Sequence, residues 1–214
     1  MEQRRGRGRP SVGEPMLSTE HLLDAALEAF AERGYDGTSV REIARKLGVS
    51  HNLIPQRIGS KEELWRRAVD QGFGRLTLEL ITALETDPQD DVDRLRAVVA
   101  KFIEANARRP SLVRIISKEA VVAGPRFDYL FDNYIDPVRV MGSELLAGLR
   151  KAGRLRTDSV ALVYFFMTHG AGGAVAYPAL AQRFGSNVDP DDPEAVRQHA
   201  EEAVELLFGG LVDD

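Results

Sequence analysis

Cysteine is absent from the 214 residues, so no disulfide, thiolate nucleophile, iron–sulfur cluster or Cys-ligated zinc can be built from this chain. Histidine is scarce. His21, His51, His169 and His199 have neither metal-ligand spacing nor an acid or nucleophile partner, so no metal, no cofactor and no catalytic site is expected. The opening MEQRRGRGRPSVGEP carries charge and glycine but no apolar run behind it, which argues against a secretory signal and makes cytoplasmic residence the expectation. Strand signals are missing too, since no segment alternates apolar and polar residues between hairpin turns. One stretch, 159–182, is long enough to span a bilayer and has no formal charge apart from His169. Its Thr168, Gly170, Gly172, Gly173 and Pro178, and the lack of a basic cluster at either end, argue for a buried helix and against a membrane partner. The same Gly170-Ala171-Gly172 is no dinucleotide fingerprint, because Val175 stands where the third glycine belongs and no βαβ unit surrounds it.

What is present is helical periodicity in an ordinary globular balance of 43% hydrophobic and 29% charged residues. Residues 1–67 hold 12 Lys and Arg against 10 Asp and Glu, whereas residues 68–214 hold 16 against 23, so a slightly basic front precedes an acidic body. Leu22, Leu23, Ala26, Leu27 and Phe30 form one stripe behind a Ser18/Thr19 start signal, and Gly34 stands where a left-handed cap belongs. Ser39 and Glu42 have capping-box spacing at the head of a short second helix that Gly48 closes. Ser50 is placed to cap a third, and Ser60 with Glu63 makes another capping box opening a long fourth. Val92, Leu95, Val99 and Phe102 predict a helix that stops before Pro110. The stripe of Leu130, Tyr134, Val138, Met141, Leu145 and Leu149 predicts another, kinked or split near Asp136 by Pro137. A last helix runs from Pro193 through Leu207.

Residues 38–54, TSVREIARKLGVSHNLI, carry the most information. Two short helices joined by Leu47-Gly48-Val49-Ser50 need a small residue at Ala44 for close crossing, a glycine that accepts positive φ, and an apolar plug, here Val49. Such a pair lets the second helix project polar side chains into a DNA major groove. Taken alone, these residues also fit a helical hairpin of an unrelated bundle. The flanks narrow the choice. The order LLDAALEAFAERGYDGTSV, REIARKLGVS, a short helix and GSKEELW resembles the N-terminal domain of the TetR family of bacterial one-component regulators over residues 18–65. Its landmarks are Ala26, Phe30, Gly34, Tyr35, Thr38, Ile43, Ala44, Gly48, Val49, Ser50, Ser60, Lys61 and Leu64. One departure stands out: the family's Leu-Tyr-x-His-Phe is replaced by Ile54-Pro55-Gln56-Arg57-Ile58, without the aromatic that commonly touches a phosphate. Pro55 lacks the N–H that would bond the His51 carbonyl, so the reading helix is expected to be barely one turn, or kinked.

The resemblance implies an all-α homodimer of about nine helices per chain, with a three-helix helix-turn-helix DNA-binding domain and a helical C-terminal domain for ligand binding and dimerisation. The expected divisions are a basic arm at 1–17, a DNA-reading domain at 18–65 and the ligand and dimer domain at 66–214. Function is then transcriptional regulation, usually repression, from a palindromic operator released by a small hydrophobic molecule. The rival is a ligand-binding or interaction module whose reading helix Pro55 has spoiled.

Candidate base readers are His51, Asn52 and Gln56, with Ser50 at the helix start; Asn and Gln pair with adenine edges. Thr38, Ser39, Arg41 and Lys61 are candidates for phosphate, and Arg57 either replaces the lost aromatic contact or is solvated. Arg7-Gly8-Arg9-Pro10 resembles the core of an AT-hook, so Arg7 and Arg9 are candidates for a narrow A·T minor groove. Phe73, Phe102, Phe127 and Phe131 are candidate pocket residues, as are Tyr134, Met141, Phe165, Phe166 and His169, although helical apolar stripes mostly bury themselves as core. Gly170, Gly172 and Gly173, with Val196, Ala200, Ala203, Val204 and Leu207 of the last helix, are the expected dimer interface.

Overall fold

The computed structural model describes residues 17–85, 90–155, 159–186 and 188–211. Arg7 and Arg9 of the expected arm lie outside the described residues. Ser18 caps α1 (Thr19–Gly37) by accepting from the His21 N–H, and the stripe from Leu22 to Phe30 faces inward. Gly34, at φ 73°, breaks the helix where its freedom from a Cβ is needed. α2 (Val40–Lys46) and α3 (Leu53–Arg57) follow, joined through Gly48 at φ 67°. The expected capping box on α2 does not form: Ser39 makes no side-chain cap bond, and Glu42 turns to Arg33 of α1 at 2.6 Å. The second box does form at the head of α4 (Lys61–Glu85), where the Glu63 N–H donates to Ser60 Oγ at 3.2 Å and the Ser60 N–H donates to Glu63 Oε2 at 2.6 Å.

α4 is the long axis of the molecule. Its first half buries Leu64, Trp65, Ala68 and Val69 in the same apolar core as Ile43, Ile54 and Ile58, and its second half carries Phe73, Leu76 and Leu80. Over it lie α5 (Asp91–Arg108) and α6 (Pro110–Val122), the latter opened by the proline that ends the helix before it. At Gly72 three helices pack closely, since a Cβ there would come within 2.8 Å of Leu27 and 2.9 Å of Leu112 side-chain carbons. Helices α1, α4 and α6 therefore meet with no room for a methyl group.

The next stripe is split as Pro137 requires, into α7 (Pro125–Leu130), a π-helical turn (Phe131–Ile135) and α8 (Asp136–Lys151). The expected single buried helix at 159–182 is instead broken into α9 (Val160–Phe165), a second π-helical turn (Phe166–Ala171), α10 (Gly173–Ala176) and α11 (Pro178–Arg183). α12 (Pro193–Leu211) packs on α5 through a second core that includes Leu95, Val99, Val204 and Phe208. The described residues thus form twelve α-helical segments where about nine helices were expected. The excess comes from these interruptions. No helix among the described residues is long and apolar enough to cross a membrane.

Glu63 offers a direct test of the α4 cap. Its carboxyl is held below its ordinary 4.5, first by the Ser60 N–H and then by the Ser60 hydroxyl. A lowered folded value contributes stability above the unfolded value that is lost as pH falls through the folded one. The melting temperature of Glu63→Gln is expected to lie below that of the parent at neutral pH, with the gap closing as pH falls below the ordinary carboxyl value of 4.5 and through the lowered folded one in an acid series followed by circular dichroism. A gap that does not change with pH would show that the carboxylate charge has no part in the cap.

Candidate nucleic-acid interface

α3 is a single five-residue turn, seated by the buried Ile54 and the almost equally buried Ile58. The Asn52 carbonyl accepts from the Gln56 N–H at 3.1 Å, while Pro55 has no N–H for His51. Ser50 Oγ accepts from the Asn52 N–H at 3.4 Å, so Ser50 shapes the turn ahead of the helix, and Asn52 occupies the cap position. His51, Asn52, Pro55 and Gln56 are exposed, with Asn52 and Gln56 one turn apart on the same side.

The phosphate candidates separate sharply. Thr38 is only 4% exposed and its hydroxyl donates to the Gly34 carbonyl at 2.7 Å and the Ala29 carbonyl at 3.1 Å. It closes the end of α1 and does not present its hydroxyl to a nucleic acid. Arg57 has partners within the chain. Its guanidinium donates to the Leu17 carbonyl at 2.6 Å and to Thr19 Oγ1 at 3.0 Å, tying the end of α3 to the start of α1. Arg41 is exposed and makes no ion pair among the described residues, and Ser39 is half-buried with its hydroxyl unused as a cap. Arg45, one turn beyond Arg41 on α2, was not singled out from the sequence; its side chain is 80% exposed beside Glu42 at 3.6 Å. The signal was an i, i+4 pair of arginines on one face of a very short helix.

Lys61 leads away from the surface. Its Nζ lies 4.5 Å from the centre of the Tyr35 ring, and the guanidinium of Arg126 on α7 lies 4.0 Å from the same ring. Glu119 of α6 accepts from Arg126 Nε at 3.2 and 3.3 Å. Burial raises the Tyr35 phenol above its ordinary value, and the Glu62 carboxylate adds to the shift. A second link lies deeper. Tyr129 and Tyr134 both donate to Asp70 Oδ1 of α4, at 2.7 and 2.6 Å. Burial first, then the Asp70 hydrogen bond, pushes Tyr129 up to about 12 and Tyr134 higher still, so both phenols stay protonated donors.

Tyr134 also lines a cavity of about 30 Å³ enclosed by α4, α5, α6, α8, α9 and both π-helical turns. Of the candidate pocket residues, Phe73, Phe102, Tyr134 and His169 line it, while Phe127, Phe131 and Met141 pack against the main core beside it. Phe165 and Phe166 do not; they are 57% and 58% exposed on the outer face. Asn106, Ser117, Tyr164 and Thr168 line the cavity and were not anticipated. For Asn106 the signal was an amide one turn after Phe102 on the apolar stripe of α5.

An open groove of about 610 Å³ runs between α9, the second π-helical turn and α12, lined by Leu162, Phe166, Gly170, Ala203, Leu206 and Leu207 among others. Part of the expected dimer interface lies elsewhere. Val196, Ala200 and Val204 are 1%, 1% and 7% exposed within the chain's own packing, because that side of α12 faces inward. Gly172 meets its own preceding turn, as a Cβ there would sit 2.2 Å from the Thr168 carbonyl oxygen, and Gly173 meets no neighbour. The free side of α12 is the one bearing Leu206, 82% exposed.

This geometry has close counterparts. A family model described as bacterial regulatory proteins, tetR family, matches residues 22–68. The HTH-type transcriptional repressor KstR2 of Rhodococcus jostii is 31% identical over 183 residues, covering 78% of this chain and 87% of the relative. The HTH-type transcriptional activator FasR of Mycolicibacterium smegmatis is 31% identical over 131 residues, 58% of this chain and 59% of its own length. Among solved structures, the ketosteroid transcriptional regulator KstR2 of Mycobacterium tuberculosis superimposes with a TM-score of 0.73 at 25% identity, covering 93% of this chain and 97% of that one. A helix-turn-helix on a helical body, matched along most of both chains, places this protein in the TetR family of DNA-binding transcriptional regulators, which are not enzymes.

Proposed function

We propose that the protein is a homodimeric repressor that binds a palindromic operator through residues 18–65 and is released when a small apolar molecule enters the cavity within residues 66–214. The observation that carries this reading is α4, which holds Trp65 in the core of the reading unit and Phe73 in the wall of the cavity. Filling the cavity displaces the same rigid element that seats α2 and α3. His51, Asn52 and Gln56 are the base readers, while Ser39, Arg41 and Lys61 face the backbone, with Lys61 moving off Tyr35 to do so. A second copy covers the groove between α9 and α12: its exposed Leu162, Phe166 and Leu206 and its small Gly170 and Ala203 suit a four-helix contact across a two-fold axis. The repressor sign follows the KstR2 relatives.

The experiment that tests the core of this reading is selection of bound duplexes from a randomised pool at two salt concentrations. The expected outcome is an enriched palindrome with half-sites about 34–36 Å apart or one turn more. Binding without enrichment would favour the rival in which Pro55 has spoiled the reader.

On the selected site, Asn52→Ala and Gln56→Ala are each expected to weaken binding by about 5- to 150-fold, the range of a lost bidentate base contact. Arg41→Ala should weaken all DNA alike and lower the salt slope by about 1. Arg57→Ala should lower the melting temperature and the affinity while leaving that slope unchanged, because its partners are Leu17 and Thr19. A slope reduced by the Arg57 change would return Arg57 to the phosphate backbone.

Leu206→Glu places a charge at the centre of the free face. Sedimentation should show a monomer that keeps its helical spectrum and binds single half-sites weakly. A variant that stays dimeric would move the interface off this groove.

A further inference from the structure

The cavity behind Tyr134 has an uneven chemistry. Its walls are apolar, with Phe73, Leu76, Phe102, Val113, Ile116 and Val138 among them, and neither a Lys or Arg nor an Asp or Glu lines it. Most of its polar groups are already engaged. Tyr134 donates to Asp70, Thr168 Oγ1 lies 2.8 Å from the Tyr164 carbonyl and 2.8 Å from His169 Nδ1, and Asn106 Nδ2 donates to the Phe102 carbonyl at 2.7 Å. His169 stands at the exposed edge beside Phe165, with 5.6 Å between ring centres.

Two hydroxyls remain. Ser117 Oγ of α6 is buried with no hydrogen-bond partner, and the half-buried Tyr164 of α9 makes no hydrogen bond through its phenol among the described residues. Burial alone pushes the Tyr164 phenol up to about 12. An orphaned buried hydroxyl lowers stability and is kept where something else satisfies it.

We propose that the cavity selects an uncharged molecule with an apolar body and one hydrogen-bonding oxygen, a ketone, ester carbonyl or hydroxyl, which Ser117 Oγ and the Tyr164 phenol read from α6 and α9. The proposal rests on the reading of this cavity as the effector site. A hydroxyl donates to a carbonyl oxygen and accepts from an alcohol, so the pair fits either form. A carboxylate at this end loses its water and meets no cation, and an ammonium meets no anion, because Asp70 is taken up by Tyr129 and Tyr134. A plain hydrocarbon leaves the buried Ser117 hydroxyl orphaned. The space of about 30 Å³ is far below the several hundred Å³ of a ligand pocket, so the ligand enters by moving the walls. Both π-helical turns contribute to those walls, through Tyr134 and Ile135 and through Thr168 and His169. Such turns are interruptions of α-helix that recur at functional sites.

The test uses the full chain and two matched probe sets, one on a ten-carbon chain (2-decanone, 1-decanol, decanoate, decylamine, decane) and one on the decalin ring system with the same end groups. Thermal shift and the fluorescence of the single tryptophan, Trp65, report binding. Ketone and alcohol are expected to raise the melting temperature, with the carboxylate, the amine and the hydrocarbon at least about tenfold weaker. Ser117→Ala should cost the ketone about tenfold in affinity and leave the hydrocarbon unchanged, a difference that a purely structural serine would not produce. Tyr164→Phe, neutral in helix propensity, should likewise cost the ketone about tenfold in affinity and leave the hydrocarbon unchanged. A Tyr164→Phe protein that binds the ketone as tightly as the parent, or a carboxylate that binds as tightly as the ketone, overturns the proposal and leaves the effector cavity standing. If no member of either set shifts the melting temperature while operator binding is intact, the effector reading falls and the proposal with it.

Discussion

Helix α4 is buried twice, by Leu64, Trp65, Ala68 and Val69 among the helices of the reading unit and by Phe73, Leu76 and Leu80 against α5 and α6. Between the two stretches, Gly72 lets α1 and α6 approach to where a methyl group would collide with Leu27 and Leu112. Close-packed interiors do not deform continuously. In the proposed reading, a shift of α4 driven from the cavity end is carried into the seat of α2 and α3.

Polar contacts fasten the same junction from both sides. Asp70 gathers two phenols, and Tyr134, which also stacks on Phe73 with 5.3 Å between ring centres, belongs to the cavity wall and to the α4 clasp at once. Nearer the surface, Arg126 reaches from α7 to the Tyr35 ring while Glu119 holds its guanidinium, and Lys61 lies over the same ring. Lys61, Asp70, Phe73, Glu119 and Tyr134 lie on elements that also line the cavity, whereas Tyr35 belongs to α1 and Arg126 and Tyr129 to α7. The reading unit is thus in contact with the body at a cation–aromatic cluster as well as along α4.

A five-residue helix has too few hydrogen bonds to hold itself, and Pro55 removes one of the few available. α3 stands because it is gripped from outside. Ile54 and Ile58 anchor one side in the core, and Arg57 bonds back to Leu17 and Thr19, so the end of the reading helix is pinned to the start of α1. His51, Asn52 and Gln56 are left exposed on that short, fixed turn.

Much of this was legible in the sequence, because it depends on local chemistry. The stripe of α1, the left-handed glycines at 34 and 48, the Ser60–Glu63 box, the Pro110 start and the division near Asp136 all follow from the spacing of apolar residues, caps and prolines. Tertiary structure decided what depends on partners far away in the chain. Arg57 became a clamp because Leu17, forty residues earlier, offers a carbonyl. Thr38 turned inward because the end of α1 left carbonyls at Ala29 and Gly34. Phe165 and Phe166, which read as pocket, face outward, and Val196, Ala200 and Val204, which read as interface, face inward, because periodicity says that a helix has an apolar side without saying what that side meets. Ser117 shows the same dependence: a serine hydroxyl is ordinary in a sequence, and only the packing of α6 leaves its oxygen buried without a hydrogen-bond partner.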